Sequence, residues 1–115
     1  MSGLSDLLEA LARRPGVDLA VLLSPDGLTV SHAGTGDVDS IAALAATALR
    51  HAERLASGAG REGLQRLVLE GEAGALVLSL AHEGHWLLLR LGDDADFGDL
   101  LYDLRRHQPA LSALL

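Results

Sequence analysis

The apolar positions of the chain follow two periods in turn. Leu4, Leu7, Leu8 and Leu11 recur at the i, i+3, i+4, i+7 spacing of an amphipathic helix, with Ser2 as the expected N-cap and Pro15-Gly16 as the stop. Val17 to Ser24 is then apolar at nearly every position, the pattern of a strand covered on both faces. Ser24-Pro25-Asp26-Gly27 places Pro and Gly at the first-central and fourth positions of a type I turn. Beyond it Leu28, Val30 and His32 alternate with Thr29, Ser31 and Ala33, which predicts a second strand with one wet face at a sheet edge.

A short loop from Gly34 leads into the longest helical pattern, Asp37 to Ser57, whose acidic start suits the N-terminal end of a helix dipole. Two stripes run along it. Ile41, Leu44, Ala45, Ala48, Ala52 and Leu55 form the one expected to face inward. Ala42, Ala46, Leu49, Glu53 and Ala56 form a second, spaced 4-3-4-3 and mostly small or apolar. A helix on the surface of a monomer needs only one apolar stripe, so the second is expected to meet another surface.

Three strands follow, Leu64 to Glu70, Ala75 to Ala81 and His85 to Leu91, joined by Gly71-Glu72-Ala73-Gly74 and His82-Glu83-Gly84 as an antiparallel meander. The last two are apolar on both faces and belong inside the sheet, whereas the first reads as an edge. A final helix, Asp96 to His107, carries Phe97, Leu100, Leu101 and Leu104 on one face, and Pro109 is expected to close it. The apolar tail Ala110 to Leu115 is left without a place. The order α-β-β-α-β-β-β-α predicts an α+β fold in one domain, residues 1–115: a five-stranded antiparallel sheet with helices on both faces.

Composition narrows the chemistry. Hydrophobic residues make up 49% of the 115 and aromatic ones only 3%, so the core is built from Leu, Val and Ala. Cysteine is absent, which removes disulfides, thiol catalysis and Cys-based zinc sites. The net charge is −7 and every positive charge is an arginine. Lacking lysine, the chain has no P-loop, Schiff base or lysine general base. An acidic domain poor in aromatics also lacks the basic footprint that nucleic acid requires. No export signal is visible and no apolar run approaches the ~20 residues that span a bilayer. A cytoplasmic protein without membrane insertion is expected.

Candidate catalytic groups do not combine. His82 and His85 flank Glu83 in a turn rather than at the i, i+4 spacing of a zinc-protease helix, and other ligands for a metal are not identifiable. His51 sits on a helix flank. His32 and Asp26 lie at opposite ends of a short strand, too far apart to couple at ~3.3 Å per residue. No serine occupies a Gly-x-Ser-x-Gly elbow. Gly34-Thr35-Gly36 lacks the third glycine of a dinucleotide loop, and Gly58-Ala59-Gly60 ends a helix instead of starting one. No catalytic residue, metal ligand or cofactor is therefore expected. A small-ligand sensor or a metal-dependent enzyme using His82, His85 and His32 remains as an alternative. An unpaired edge beside a helix with a spare stripe predicts a homodimer instead, through Gln65, Leu67 and Leu69 of the third strand and Ala42, Ala46, Leu49 and Glu53 of the helix.

The hairpin "SPDGLTVS", the helix "DVDSIAALAATALRHAERLASGAG" and the meander "LVLEGEAGALVLSLAHEGHWLLLRLG" resemble the Roadblock (dynein light chain) family over nearly the whole chain. The likeness is to its bacterial branch, which regulates Ras-like small GTPases such as the gliding-motility polarity switch. The resemblance implies a homodimer in which third strands pair and long helices lie together as a platform for a GTPase that supplies its own catalytic machinery. On this chain the outward positions would be Ala43, Thr47, Arg50 and Arg54, with neither arginine assigned as an arginine finger. The longer gliding-motility regulators continue past the third helix, so the resemblance implies GTPase binding ahead of GTPase activation. A scaffold subunit blind to nucleotide state would use the same dimer surface.

Overall fold

The structure, a computed structural model, describes residues 3–114 apart from the side chain of Leu111. The proposed N-cap Ser2 and the final Leu115 lie outside the described residues. The elements are α1 (Gly3–Ala12), β1 (Val17–Leu23), β2 (Thr29–Gly34), α2 (Val38–Gly58), β3 (Arg66–Gly71), β4 (Gly74–Leu80), β5 (Trp86–Gly92) and α3 (Phe97–Leu114). The strands form one sheet in the order β2-β1-β5-β4-β3, with every neighbouring pair antiparallel. The α+β fold and its element order are as the sequence predicts.

The apolar runs of β1 and β5 are explained by their central place, since residues covered on both faces gain nothing from polar alternation. Ala20, Leu22, Val77, Leu87, Leu89 and Leu91 pack under α1 and α3. Leu19, Val21, Leu23, Leu78, Trp86 and Leu88 pack under α2. On the edge strand β2 the alternation holds, but the larger side chains are on the wet side. Val30 is 46% exposed and His32 is exposed, while Thr29, Ser31 and Ala33 are half-buried. The smaller Ala33 is the one that packs against the α1–α3 cluster.

Helices α1 and α3 run antiparallel. Arg14, just past α1, pairs with Asp99 at 3.1 Å and with Asp103 in the first half of α3. At the other end Leu114 lies against Gly3, where an added Cβ would come within 3.1 Å of it. The expected stop at Pro109 is corrected: α3 continues through it, and the apolar tail to Leu114 is its last turn. Proline removes one helical hydrogen bond, and tertiary contacts hold both sides of the gap. Leu104 is buried, and Gln108 Nε2 donates to the carbonyls of Leu80 and Ala81 at 3.0 and 2.7 Å.

Two devices fix α2 on the sheet. In the β1–β2 turn, Gly27 N–H donates to Ser24 O at 2.9 Å and Leu28 N–H donates to Ser24 Oγ at 3.2 Å. Gly27 has φ +83°, and a Cβ there would sit 2.8 Å from the Ala46 Cβ of α2. At the start of the helix, Arg90 pairs with Asp18 and donates from Nη2 to Thr35 O at 2.9 Å. Thr29 Oγ1 donates to Asp39 at 2.9 Å.

Candidate interaction surface

The two stripes of α2 exchange roles relative to expectation. Val38, Ala42, Ala45, Ala46 and Leu49 face the sheet and are buried within the protomer. Ala42, Ala46 and Leu49 are therefore inaccessible to a second copy, which corrects their assignment to a dimer seam. Leu44 and Leu55, expected inside, are 70% and 75% exposed. The reason is volume: leucines and Trp86 already fill the sheet face below, so a close-lying helix presents alanines to it. Eleven residues apart, Leu44 and Leu55 differ by only ~20° around the axis and project along one line.

The flanks of α2 are distinguishable. Asp39, Ala43 and Ala46 adjoin the β1–β2 hairpin. Ile41, Ala48 and Ala52 lie on the opposite flank and are half-buried, and Ile41 packs against the cluster that Leu67 of β3 and Leu76 of β4 also join. The exposed Leu44–Leu55 line thus opens away from the β1–β2 hairpin, on the side of the other edge of the sheet.

That edge is β3, hydrogen-bonded to β4 alone. Leu67 and Leu69 oppose Leu78 and Leu76 on the α2 face, with Leu67 half-buried and Leu69 46% exposed. Val68 opposes Val77 on the other face. Gln65 falls just before the strand. Its carbonyl accepts from Leu80 N–H at 2.9 Å and its Nε2 donates to Gly63 O at 3.3 Å, so both its backbone and its side chain are engaged within the protomer. Arg66 is half-buried, and its Nε has no hydrogen-bond partner.

Ala43, Thr47, Arg50 and Arg54 are all exposed on the hairpin-side shoulder of α2. Thr47 Oγ1 donates to Ala43 O at 3.3 Å and accepts from Arg50 Nη2 at 3.2 Å. Among the described residues neither Arg50 nor Arg54 pairs with a carboxylate. Glu53 is exposed beside Pro25, Arg50, Gly84 and Trp86, which line a cleft of about 140 Å³.

The histidines do not gather into one site. His82 Nε2 is 3.6 Å from Glu83 and His85 Nδ1 is 3.1 Å from His82 O, both within the β4–β5 turn. His32 is on β2 and His51 on the outside of α2. Among the described residues no three His, Cys, Asp or Glu side chains are grouped to hold a metal ion. The Gly34-Thr35-Gly36 loop serves as the anchor for Arg90. Sequence reasoning missed the outward Leu44–Leu55 line and the orphaned arginine of β3. The first was present in a stripe expected to face inward, because a helical period does not say which of two apolar stripes meets the sheet; the second had no sequence signal.

The chain matches the Roadblock/LC7 domain over residues 4–91. It is 36% identical over 85 residues to an uncharacterised protein of Methanocaldococcus jannaschii, covering 72% of this chain and 71% of the other. A Roadblock/LC7 domain from Streptomyces avermitilis superposes with a TM-score of 0.84 at 31% identity, covering 96% of this chain and 98% of that one. The gliding protein MglB from Thermus thermophilus gives a TM-score of 0.86 at 25% identity, covering 95% and 85%.

Proposed function

The chain belongs to the Roadblock/LC7 domain family, and from that premise we propose that it acts as a non-enzymatic, cytoplasmic homodimer that binds a Ras-like small GTPase and modulates its nucleotide cycle. The observation that carries the proposal is the exposed Leu44–Leu55 line on the same side of the protomer as the free β3 edge. An unpaired strand and an apolar helix line are each costly to leave in water, and one two-fold contact covers both. The seam is thus assigned to Leu44, Ala48 and Leu55 with β3 Leu67 and Leu69, in place of Ala42, Ala46 and Leu49. Gln65 and Glu53 flank it.

Such a contact sets the two α2 helices side by side, and the shoulders bearing Ala43, Thr47, Arg50 and Arg54 then flank a shared platform. Its guanidinium groups, which no carboxylate pairs among the described residues, stand out on a chain of net charge −7 and suit an acidic rim on the partner. The likeness to a gliding-motility MglB supports a Ras-like GTPase as that partner. The GTPase brings its own phosphate chemistry.

Two measurements test this reading. Light scattering on the full chain should give a dimer; a monodisperse monomer at tens of micromolar would remove the platform. Candidate small GTPases loaded with GTP or GDP should then bind unequally to the immobilised protein. Equal binding in both states would make the chain a nucleotide-blind scaffold, and stoichiometric metal in the purified protein would revive the sensor or enzyme.

A further inference from the structure

The edge strand β3 carries its own register code. Gln65 O accepts from Leu80 N–H, so the backbone groups of the odd-numbered residues of β3 point into the sheet toward β4. In an antiparallel ladder the alternate residues point the other way. Arg66, Val68 and Glu70 therefore present their N–H and C=O groups to the open edge. The same residues share one side-chain face, opposite Ser79, Val77 and Ala75.

Arg66 is incomplete in the protomer. It is half-buried, its Nε is orphaned, and its one hydrogen bond is a 3.4 Å contact from Nη2 to Ser79 Oγ. Burial first, and then the charge of nearby Arg105, lower the pKa of its guanidinium. Among the described residues no carboxylate pairs with it. Glu70, two places along the same face, is exposed and also without an ion-pair partner among the described residues.

We propose that β3 pairs with β3 of a second copy in a register centred on Val68, so that Arg66 of each protomer faces Glu70 of the other and this charge pair selects self-association. The inference rests on the dimer reading above and specifies its seam. A two-fold axis perpendicular to the sheet pairs residues symmetrically about one central position. Centring on Val68 places Val68 opposite itself and Leu67 opposite Leu69 on the α2 face. It also uses every outward N–H and C=O of Arg66, Val68 and Glu70 in the ladder. Centring on Leu67 instead sets Arg66 against Val68, and centring on Leu69 sets Glu70 against Val68. The first leaves both charges facing apolar side chains and shortens the pairing within β3, and the second leaves Glu70 facing an apolar side chain and sets Arg66 against Glu72, in the turn beyond the end of the strand. Opposite charges directly across a ladder attract and like charges repel, and the two-fold axis applies each effect twice.

Charge reversal tests the register on the full chain. Arg66→Glu and Glu70→Arg should each raise the dimer dissociation constant by roughly tenfold or more, by sedimentation or light scattering. The double variant Arg66→Glu/Glu70→Arg should return it to within about threefold of the original. Mixing the two single variants should give heterodimers well beyond the statistical half, because one copy then carries two glutamates and the other two arginines. Circular dichroism melts of each variant check that the protomer remains folded. A wild-type chain that dimerises while the single variants dimerise equally well, or whose variants mix at random, overturns the register and leaves the dimer standing. A monomeric wild-type chain overturns the dimer reading itself.

Discussion

Gly27 sets how closely the first hairpin approaches α2. Its φ of +83° disfavours any side chain, and the space its Cβ would need is 2.8 Å from the Ala46 Cβ. Gly60 provides a matched control, with φ +74° and nothing within 4 Å of its Cβ position. Gly60→Ala should cost about 1 kcal/mol, the backbone penalty alone. Gly27→Ala should cost about 1–3 kcal/mol more, because overpacking adds to it. Urea denaturation of both variants checks the difference; equal losses would show that the hairpin yields easily. The second residue-scale prediction concerns the exposed shoulder. Arg50→Glu with Arg54→Glu should leave the melting temperature within a few degrees, since both side chains are exposed. The pair should weaken binding of the cognate GTPase about tenfold or more if an acidic rim docks there. Calorimetric titration of the loaded GTPase reads this directly.

At the scale of elements, α2 is where a substitution should have opposite consequences on its two sides. Ala46→Glu puts a carboxylate into the layer formed by Leu19, Val21, Leu78 and Leu88 and should cost about 3 kcal/mol or more of protomer stability. Leu44→Glu and Leu55→Glu alter side chains already in solvent and should leave that stability within about 0.5 kcal/mol while weakening the dimer. Chemical denaturation paired with light scattering separates the two effects; a destabilised Leu44→Glu protomer would reverse the assignment of the stripes. Helix α3 shows how tertiary contacts extend an element beyond its local signals. Gln108 donates twice to the end of β4, and Gln108→Ala should lower stability by about 1–2 kcal/mol because two carbonyl acceptors lose their donor.

Across the whole molecule, the sheet order places the protection. Amides of β1 and β5, central and covered by helices on both faces, should exchange slowest, and those of the edge strands β2 and β3 fastest at dilutions where the protomer stands alone. Raising the concentration should slow Arg66, Val68 and Glu70 in particular, as read by mass spectrometry of overlapping fragments. The sequence by itself determined the element order, the two edge strands and the buried centre. Periods of two and of 3.6 report which residues share a face, and continuous apolar runs report double coverage. It also determined that α2 carries two apolar lines. Only the tertiary structure decided which line meets the sheet, because a helical period has no absolute direction and the choice depends on the volume already filled beneath it. The passage of α3 through Pro109 likewise depends on Leu80, Ala81 and Gly3, residues distant in sequence. So does the isolation of Arg66: whether a guanidinium finds a carboxylate depends on what folding brings near it, and within the described protomer folding brings Ser79 and Arg105.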